Sequence, residues 1–161
     1  MKQKTREKID RKWQSLPLHH IDACVVLEVL IKQKQYEDCK NYLNRVGYKY
    51  RGVISASALG EIVMSSIKKF EKETEGGKVS LFITDLVNKR KLVFSTPKFR
   101  THPLVGKIKL IESRTEPMDA LNLATAITEN ADVFVTLDGK LVGNNKLESA
   151  FKIKIKHPNE L

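Results

Sequence analysis

Four acidic side chains stand where an apolar strand pattern gives way to a helix pattern: Asp22, Glu61, Asp119 and Asp138. The carboxyl ends of parallel strands meet at one edge of a sheet, so we expect these four carboxylates to converge there. Such a group repels itself unless divalent cations hold it, and oxygen ligands of this kind suit Mg²⁺ or Mn²⁺. The spacing therefore predicts a metal site able to hydrolyse a phosphodiester.

Each acid also has a simpler explanation when it is taken alone. Glu61 and Asp119 could complement the dipole at a helix start, Asp138 could be a turn residue, and Asp22 could be a helix cap. The neighbours of Asp22 and Asp119 are small or apolar, however, and carboxylates are rarely placed in such surroundings without a partner. The pattern of all four acids together favours a metal site.

Hydrophobic periodicity predicts the elements that position these acids. Short apolar runs alternate with amphipathic stretches, which is typical of βα units around a mostly parallel sheet. The predicted strands cover residues 18–22, 52–55, 91–94, 131–135 and, as an edge strand, 151–155. The first predicted helix begins at Ala23. The others cover residues 36–45 (ended by Gly47), 57–67 (capped by Ser57), 79–88 (after a break at Gly76-Gly77), 104–111 and 117–130. The fold class is α/β.

Composition limits the function further. A chain of 161 residues with 41% hydrophobic content predicts one compact domain, residues 18–161, preceded by a basic arm or helix, residues 1–17. The net charge of +10 and the pI near 9.6 favour a polyanionic partner such as nucleic acid. No secretory signal or membrane-spanning run is present, and two distant cysteines, Cys24 and Cys39, fit a reducing cytoplasm.

Basic residues near the acids are candidates for contacts with phosphate groups. Lys140 and Lys146 follow the last acid, and Arg100 and Arg114 flank the irregular stretch before Asp119. Phosphate contacts dominate nucleic-acid affinity, so we expect these four side chains to bind the backbone. A solvated surface remains an alternative for any one of them.

The sequence around the four acids resembles the PIN-domain nucleases, including the VapC-type toxins. The resemblance covers about residues 18–157 and rests on four segments, His20-Ile21-Asp22-Ala23, Ile54 to Glu61, Asp119 to Ala126, and Val135-Thr136-Leu137-Asp138. It implies a three-layer α/β/α sandwich with a central, mostly parallel sheet. It also implies that Asp22, Glu61, Asp119 and Asp138 bind Mg²⁺ or Mn²⁺, directly or through water, and that Thr136 orients the last acid or the attacking water.

The activity implied by the resemblance is hydrolysis of RNA by a metal-activated water, leaving a 5′-phosphate and a 3′-hydroxyl. The implied partners are RNA, a second copy of the chain in a homodimer, and an antitoxin or an RNA-processing protein. A catalytically idle RNA-binding module of the same fold is an alternative. A phosphatase of the haloacid dehalogenase type is disfavoured, because that chemistry expects a second Asp where Cys24 stands.

Three further polar residues lie close to the acids in sequence. His19 and His20 face opposite sides of a strand, so a shared metal is disfavoured and structural, hydrogen-bonded histidines are predicted. Asn122 follows Asp119 by one helical turn, and it could either hold a water or phosphate at the site or be a plain helix-surface amide.

Overall fold

A computed structural model describes residues 12–69, 73–89 and 92–161 of the chain. Within these ranges, one parallel sheet has the strand order β3-β2-β1-β4-β5. Its strands are β1 (Leu18–Ile21), β2 (Arg51–Ser55), β3 (Leu92–Ser95), β4 (Val133–Val135) and β5 (Lys154–Lys156). Chain order reverses between β1 and β4, and in open parallel sheets the ligand crevice lies beyond the carboxyl ends of the strands at such a switch point.

Helices cover both faces of this sheet. They are α1 (Ala23–Ile31), α2 (Tyr36–Arg45), α3 (Ala56–Lys69), α4 (Glu73–Asn88), α5 (Thr101–Ile111), α6 (Pro117–Thr128) and α7 (Asn145–Phe151), followed by a 3₁₀ turn, Pro158–Glu160. The first four pack on one face and the last three on the other. The α/β/α sandwich with a parallel sheet, predicted from the sequence, is confirmed.

Alternation along the strands divides the apolar residues between two cores. Ile21, Val133 and Val135 face the core beneath α1 to α4. Leu18 and the fully buried Phe134 face the core beneath α5 to α7. Burial on both faces explains why these strands are continuous apolar runs in the sequence.

Two sequence-based boundaries are wrong. Gly76 and Gly77 lie inside α4 rather than at a break, because glycine lowers helix stability by only about 1 kcal/mol and tertiary packing can override it. Phe151 ends α7 instead of beginning the last strand. Asn144 caps α7 by accepting a 3.2 Å hydrogen bond from the Leu147 amide, and the chain turns at Lys152, with φ of 55°, before β5 begins.

The helix α5 begins earlier than its sequence pattern indicates. It starts at Thr101 and carries Pro103 in its first turn, where a backbone amide would have no helical partner in any case. The helix α6 ends at Thr128, and Asn130 takes a left-handed φ of 54° before β4. The predicted start of β3 at Lys91 lies outside the described residues.

The two histidines of β1 face opposite cores, as predicted. His19 Nδ1 lies 3.1 Å from the hydroxyl of Tyr42, and the ring stacks on Tyr50. His20 is fully buried, and neither of its ring nitrogens has a hydrogen-bond partner among the described residues, so the structure contradicts the prediction of a hydrogen-bonded histidine for His20. Burial lowers the pKa of His19 to about 4 and that of His20 to about 3.

Only the last part of the predicted basic arm falls within the described residues. Residues 12–14 form a helical turn in which the Trp13 ring lies 5.7 Å from the Arg51 guanidinium. Residues 1–11 lie outside the described residues, and the boundary between arm and domain stays a prediction. None of the described helices is both long and apolar enough to cross a membrane.

Candidate active site

Asp22 lies at the centre of the candidate site, at the end of β1 where it caps α1. Its side chain is 2% exposed. Oδ1 accepts hydrogen bonds from the Ala23 amide at 2.9 Å and from Asn122 Nδ2 at 3.1 Å. Oδ2 accepts from Thr136 Oγ1 at 2.7 Å and from Cys24 Sγ at 3.3 Å. The carboxylate is therefore fixed in orientation from four directions.

Burial and hydrogen bonding act in opposite directions on Asp22. Burial penalises the charged form and raises the pKa, while the four donors stabilise the carboxylate and lower it. The net shift is upward. A nearby cation would favour the charged form of Asp22.

Asn122 connects Asp22 to the start of α3. Its side chain is fully buried, and its Oδ1 accepts hydrogen bonds of 2.8 Å from both Ser55 Oγ and Ser57 Oγ. Its amide donates to Asp22 and lies close enough to the Glu61 carboxylate to lower the pKa of that group. The alternative of a helix-surface amide is therefore wrong.

The cap of α3 is Ser55 rather than the predicted Ser57. Ser55 Oγ accepts a 3.0 Å hydrogen bond from the Ala58 amide, and the helix begins at Ala56. The Ser57 hydroxyl is thereby available to Asn122. The two serines set the position of the amide that holds Asp22.

Thr136 joins two of the acids across the end of β4. Its hydroxyl donates to Asp22 Oδ2 and accepts a 3.2 Å hydrogen bond from the Asp138 amide. The thiol of Cys24, which the sequence did not single out for the site, accepts from the Leu137 amide at 3.3 Å. Its position two residues after the helix cap Asp22 was the one available signal, since first-turn side chains lie beside the cap.

The other three acids surround Asp22 and are half-buried. The pKa of Asp119 is raised to about 7, first by burial and then by the charges of Asp22, Asp138, Glu61 and Glu116. Burial and the charge of Asp22 also raise the pKa of Glu61. The structure thus brings the other three predicted carboxylates within electrostatic reach of Asp119.

Two oxygens in this cluster suit a cation. Glu61 Oε2 and Asp138 Oδ2 are buried, and neither has a hydrogen-bond partner in the part of the chain that the structure describes. Within the described ranges, no three His, Cys, Asp or Glu side chains are arranged so that they could together hold a metal ion. Mg²⁺ commonly keeps several waters and takes one or two carboxylates directly, so an open set with two unpaired oxygens fits such an ion.

Lys140 and Arg114 lie beside the acids. The Lys140 amide donates to Asp138 Oδ1 at 2.9 Å, and its ammonium donates to the Arg114 carbonyl at 3.3 Å. Arg114 makes a bidentate pair with Glu112, with N···O distances of 2.9 and 3.0 Å, and holds the pKa of that carboxyl well below its usual range. The predicted Lys140 and Arg114 are therefore close to the acids.

Lys146 and Arg100 are placed differently. Lys146 is exposed in the first turn of α7, close enough to influence Glu112. Arg100 precedes α5 and lies beside Ile127 and Asn130, at the amino-terminal edge of the sheet. The structure does not bring Arg100 to the acids.

A family model described as the PIN domain matches residues 20–145. The chain belongs to the PIN-domain family. A search among curated proteins gave no match. The matched region contains all four acids of the cluster, so the family resemblance inferred from the sequence is confirmed.

Solved structures share this PIN fold at low sequence identity. VapBC2 from Rickettsia felis, bound to a DNA fragment from its promoter, has a TM-score of 0.63 and 18% identity, covering 87% of this chain and 98% of that one. FitAcB from Neisseria gonorrhoeae has a TM-score of 0.62 and 14% identity, covering 89% of this chain and 99% of that one. VapC20 from Mycobacterium tuberculosis is described as a toxin that cleaves the sarcin-ricin loop. It has a TM-score of 0.58 and 10% identity, covering 83% of this chain and 95% of that one.

Proposed function

We propose that this PIN domain is an endoribonuclease that depends on Mg²⁺ or Mn²⁺. The observation that carries the proposal is the pair of buried, unpaired oxygens on Glu61 and Asp138 beside a firmly oriented Asp22. Isolated buried carboxylate oxygens are costly, and a cation would satisfy them. When bound, such an ion would neutralise charge at the scissile phosphate and lower the pKa of the attacking water.

The chain's own residues have distinct tasks in this proposal. Asp22, Glu61, Asp119 and Asp138 hold the ion, directly or through water. Thr136 and Asn122 keep Asp22 in position, since both donate to its carboxylate. Lys140 and Arg114, with the exposed Lys146 further out, attract the RNA backbone toward the acids.

RNA is the favoured substrate for two reasons. The chain is strongly basic, with a net charge of +10. VapC20, which shares the fold, is described as cleaving the sarcin-ricin loop. The Cys24 thiol is not poised as a covalent nucleophile, because it hydrogen-bonds Asp22 and burial raises its pKa.

The biological setting proposed is a cytoplasmic toxin-antitoxin system. One solved structure with this fold is described as a toxin-antitoxin complex from Klebsiella pneumoniae, and VapC20 is described as a toxin. We accordingly propose an antitoxin as protein partner and a homodimer as the assembled form; a role beside an RNA-processing protein is the alternative setting.

The proposal is tested by incubating purified protein with single-stranded and structured RNAs, and with matching DNAs, in Mn²⁺, Mg²⁺ or chelator. Asp119→Asn is run in parallel, with Asp38→Asn as the control because Asp38 is an exposed acid of α2. We expect metal-dependent cutting of RNA by the wild type and by Asp38→Asn, and loss of cutting in Asp119→Asn. RNA binding without cutting by any form would support the idle binding module instead.

A further inference from the structure

Two grooves lie at the amino-terminal edge of the sheet, opposite the acids. One, of about 1050 Å³, is lined by the first residues of β2, β4 and β5, Arg51, Val133 and Lys154. The other, of about 700 Å³, is lined by residues 98–100 and the first turns of α5. Both include Ile127 and Asn130, so they form one continuous surface, here called the amino-terminal groove.

The amino-terminal groove is strongly basic. Its cations are Lys49, Arg51, Lys98, Arg100, Lys107, Lys152 and Lys154. Its one acidic lining residue, Asp132, accepts a 2.7 Å hydrogen bond from the Leu18 amide, and Glu129 nearby pairs with Lys98. Arg51 donates to the Leu16 carbonyl. The other five cations make no ion pair within the described part of the chain, so the groove carries a large uncompensated positive charge.

Phe99 adds an aromatic face to this surface. Its side chain is 98% exposed and lines the groove beside Arg100. Single-stranded nucleic acids bind where a positive groove follows the backbone and exposed aromatic rings stack on bases. An acidic protein segment would use the cations but would gain little from a bare aromatic ring.

We propose that the amino-terminal groove binds the single-stranded continuation of the RNA whose scissile phosphate occupies the acid cluster. This inference rests on the proposed function. The helix α5 connects the two sites, with Arg100 before its first residue and Glu112, the partner of Arg114, after its last. Its 11 residues span about 16 Å, or roughly five stacked nucleotides. Lys107 lies along this path and is exposed.

The test measures binding of a fluorescent, unstructured 20-nucleotide RNA in chelator, where the RNA stays uncut. The groove variant is Arg100→Gln/Lys107→Gln/Lys154→Gln, and its control is Arg45→Gln/Lys34→Gln/Lys68→Gln, which removes the same charges from exposed positions outside the groove. We expect at least about ten-fold weaker binding by the groove variant only, with the slope of log affinity against log salt smaller by about 2.

A second pair of variants tests base stacking. Phe99→Ala should weaken RNA binding by about five-fold or more, while Leu110→Ala, which trims an exposed apolar side chain of α5, should have no effect. Equal binding by the groove and control variants would overturn the proposal. Competition by polyglutamate as effective as by RNA, with Phe99→Ala unchanged, would assign the groove to an acidic protein and overturn it too.

The outcomes separate this inference from the proposed function. If Asp119→Asn abolishes cutting while the groove variant binds RNA normally, the nuclease stands and the groove proposal fails. If the wild type cuts no RNA but the groove variant loses binding, the groove proposal stands alone. A trinucleotide, too short to reach the groove, should be cut equally by wild type and groove variant.

Discussion

The side-chain amide of Asn122 donates a 3.1 Å hydrogen bond to Asp22 Oδ1, joining two residues that are 100 positions apart in the chain. The amide cannot rotate without loss, because its Oδ1 already accepts from Ser55 and Ser57. Its NH₂ group must therefore face the acids. A network whose members are all satisfied in this way fixes a single geometry.

Replacing Asn122 with alanine should reduce both activity and stability. Asp22 loses a donor and the two serines lose an acceptor, so we expect a fall of about 10- to 100-fold in kcat/KM, and a loss of about 1–3 kcal/mol in the free energy of unfolding. Steady-state RNA cleavage and urea unfolding measure the two effects. Asn41→Ala, at an exposed position of α2, is the control. Lower stability with unchanged activity would assign Asn122 a structural role only.

Replacing Thr136 with valine keeps the shape of the side chain but removes its hydroxyl. Asp22 Oδ2 loses its 2.7 Å donor and the Asp138 amide loses its acceptor. We expect kcat/KM to fall by about ten-fold or more, whereas Thr136→Ser should keep most of the activity because the hydroxyl remains. A valine variant as active as the serine variant would show that the hydrogen bonds of the hydroxyl do not matter for activity.

Asp119 should make the metal-free protein less stable as pH rises. Its pKa is raised from 3.8 to about 7, so the folded state binds this proton more tightly than the unfolded state does. Stability from this group is present at low pH and is lost between about pH 4 and 7. In chelator at pH 8, Asp119→Asn should therefore be more stable than the wild type, by of order 1 kcal/mol once solvent screening of this half-buried side chain is allowed for.

The same charge gives a metal-dependent signal in thermal unfolding. Mn²⁺ should raise the Tm of the wild type more at pH 8 than at pH 6, because protons compete with the ion for Asp119. Asp119→Asn should show a smaller rise at pH 8. A wild-type Tm that does not change with Mn²⁺ at either pH value would contradict a metal site at these acids, regardless of the RNA-cleaving activity.

Much of this site could be predicted from local pattern. Asp22 and Asp138 follow apolar strands, and parallel strands must deliver their carboxyl ends to one edge, so their convergence follows from topology. Glu61 and Asp119 were found in the same way, as acids in the opening turns of helices. These inferences need only periodicity and the order of elements along the chain.

The supporting contacts could not be predicted, because they depend on side-chain direction in three dimensions. Asn122 could be either a surface amide or part of the site until the rotation of α6 about its axis was known. The helix cap is Ser55, two residues before the predicted Ser57, and this shift leaves the Ser57 hydroxyl free of the cap and able to reach Asn122. Arg100 is near Asp119 in sequence but is separated from it by the full length of α5.

The unpartnered His20 should make the fold sensitive to acid. Burial lowers its pKa from 6.5 to about 3, so between these pH values the unfolded state binds a proton that the folded state does not bind. Stability from His20 is therefore complete above about pH 6.5 and falls as pH drops, by up to about 1.4 kcal/mol per pH unit. His20→Leu should flatten the dependence of unfolding free energy on pH, measured with urea at pH 7, 6 and 5. At pH 7 this substitution should change the free energy of unfolding little, since it removes two buried nitrogens that have no partner among the described residues.

His102→Gln, at an exposed position of α5, is the control and should leave the slope unchanged. Parallel curves for His20→Leu and the wild type would show that His20 is not buried in its neutral form.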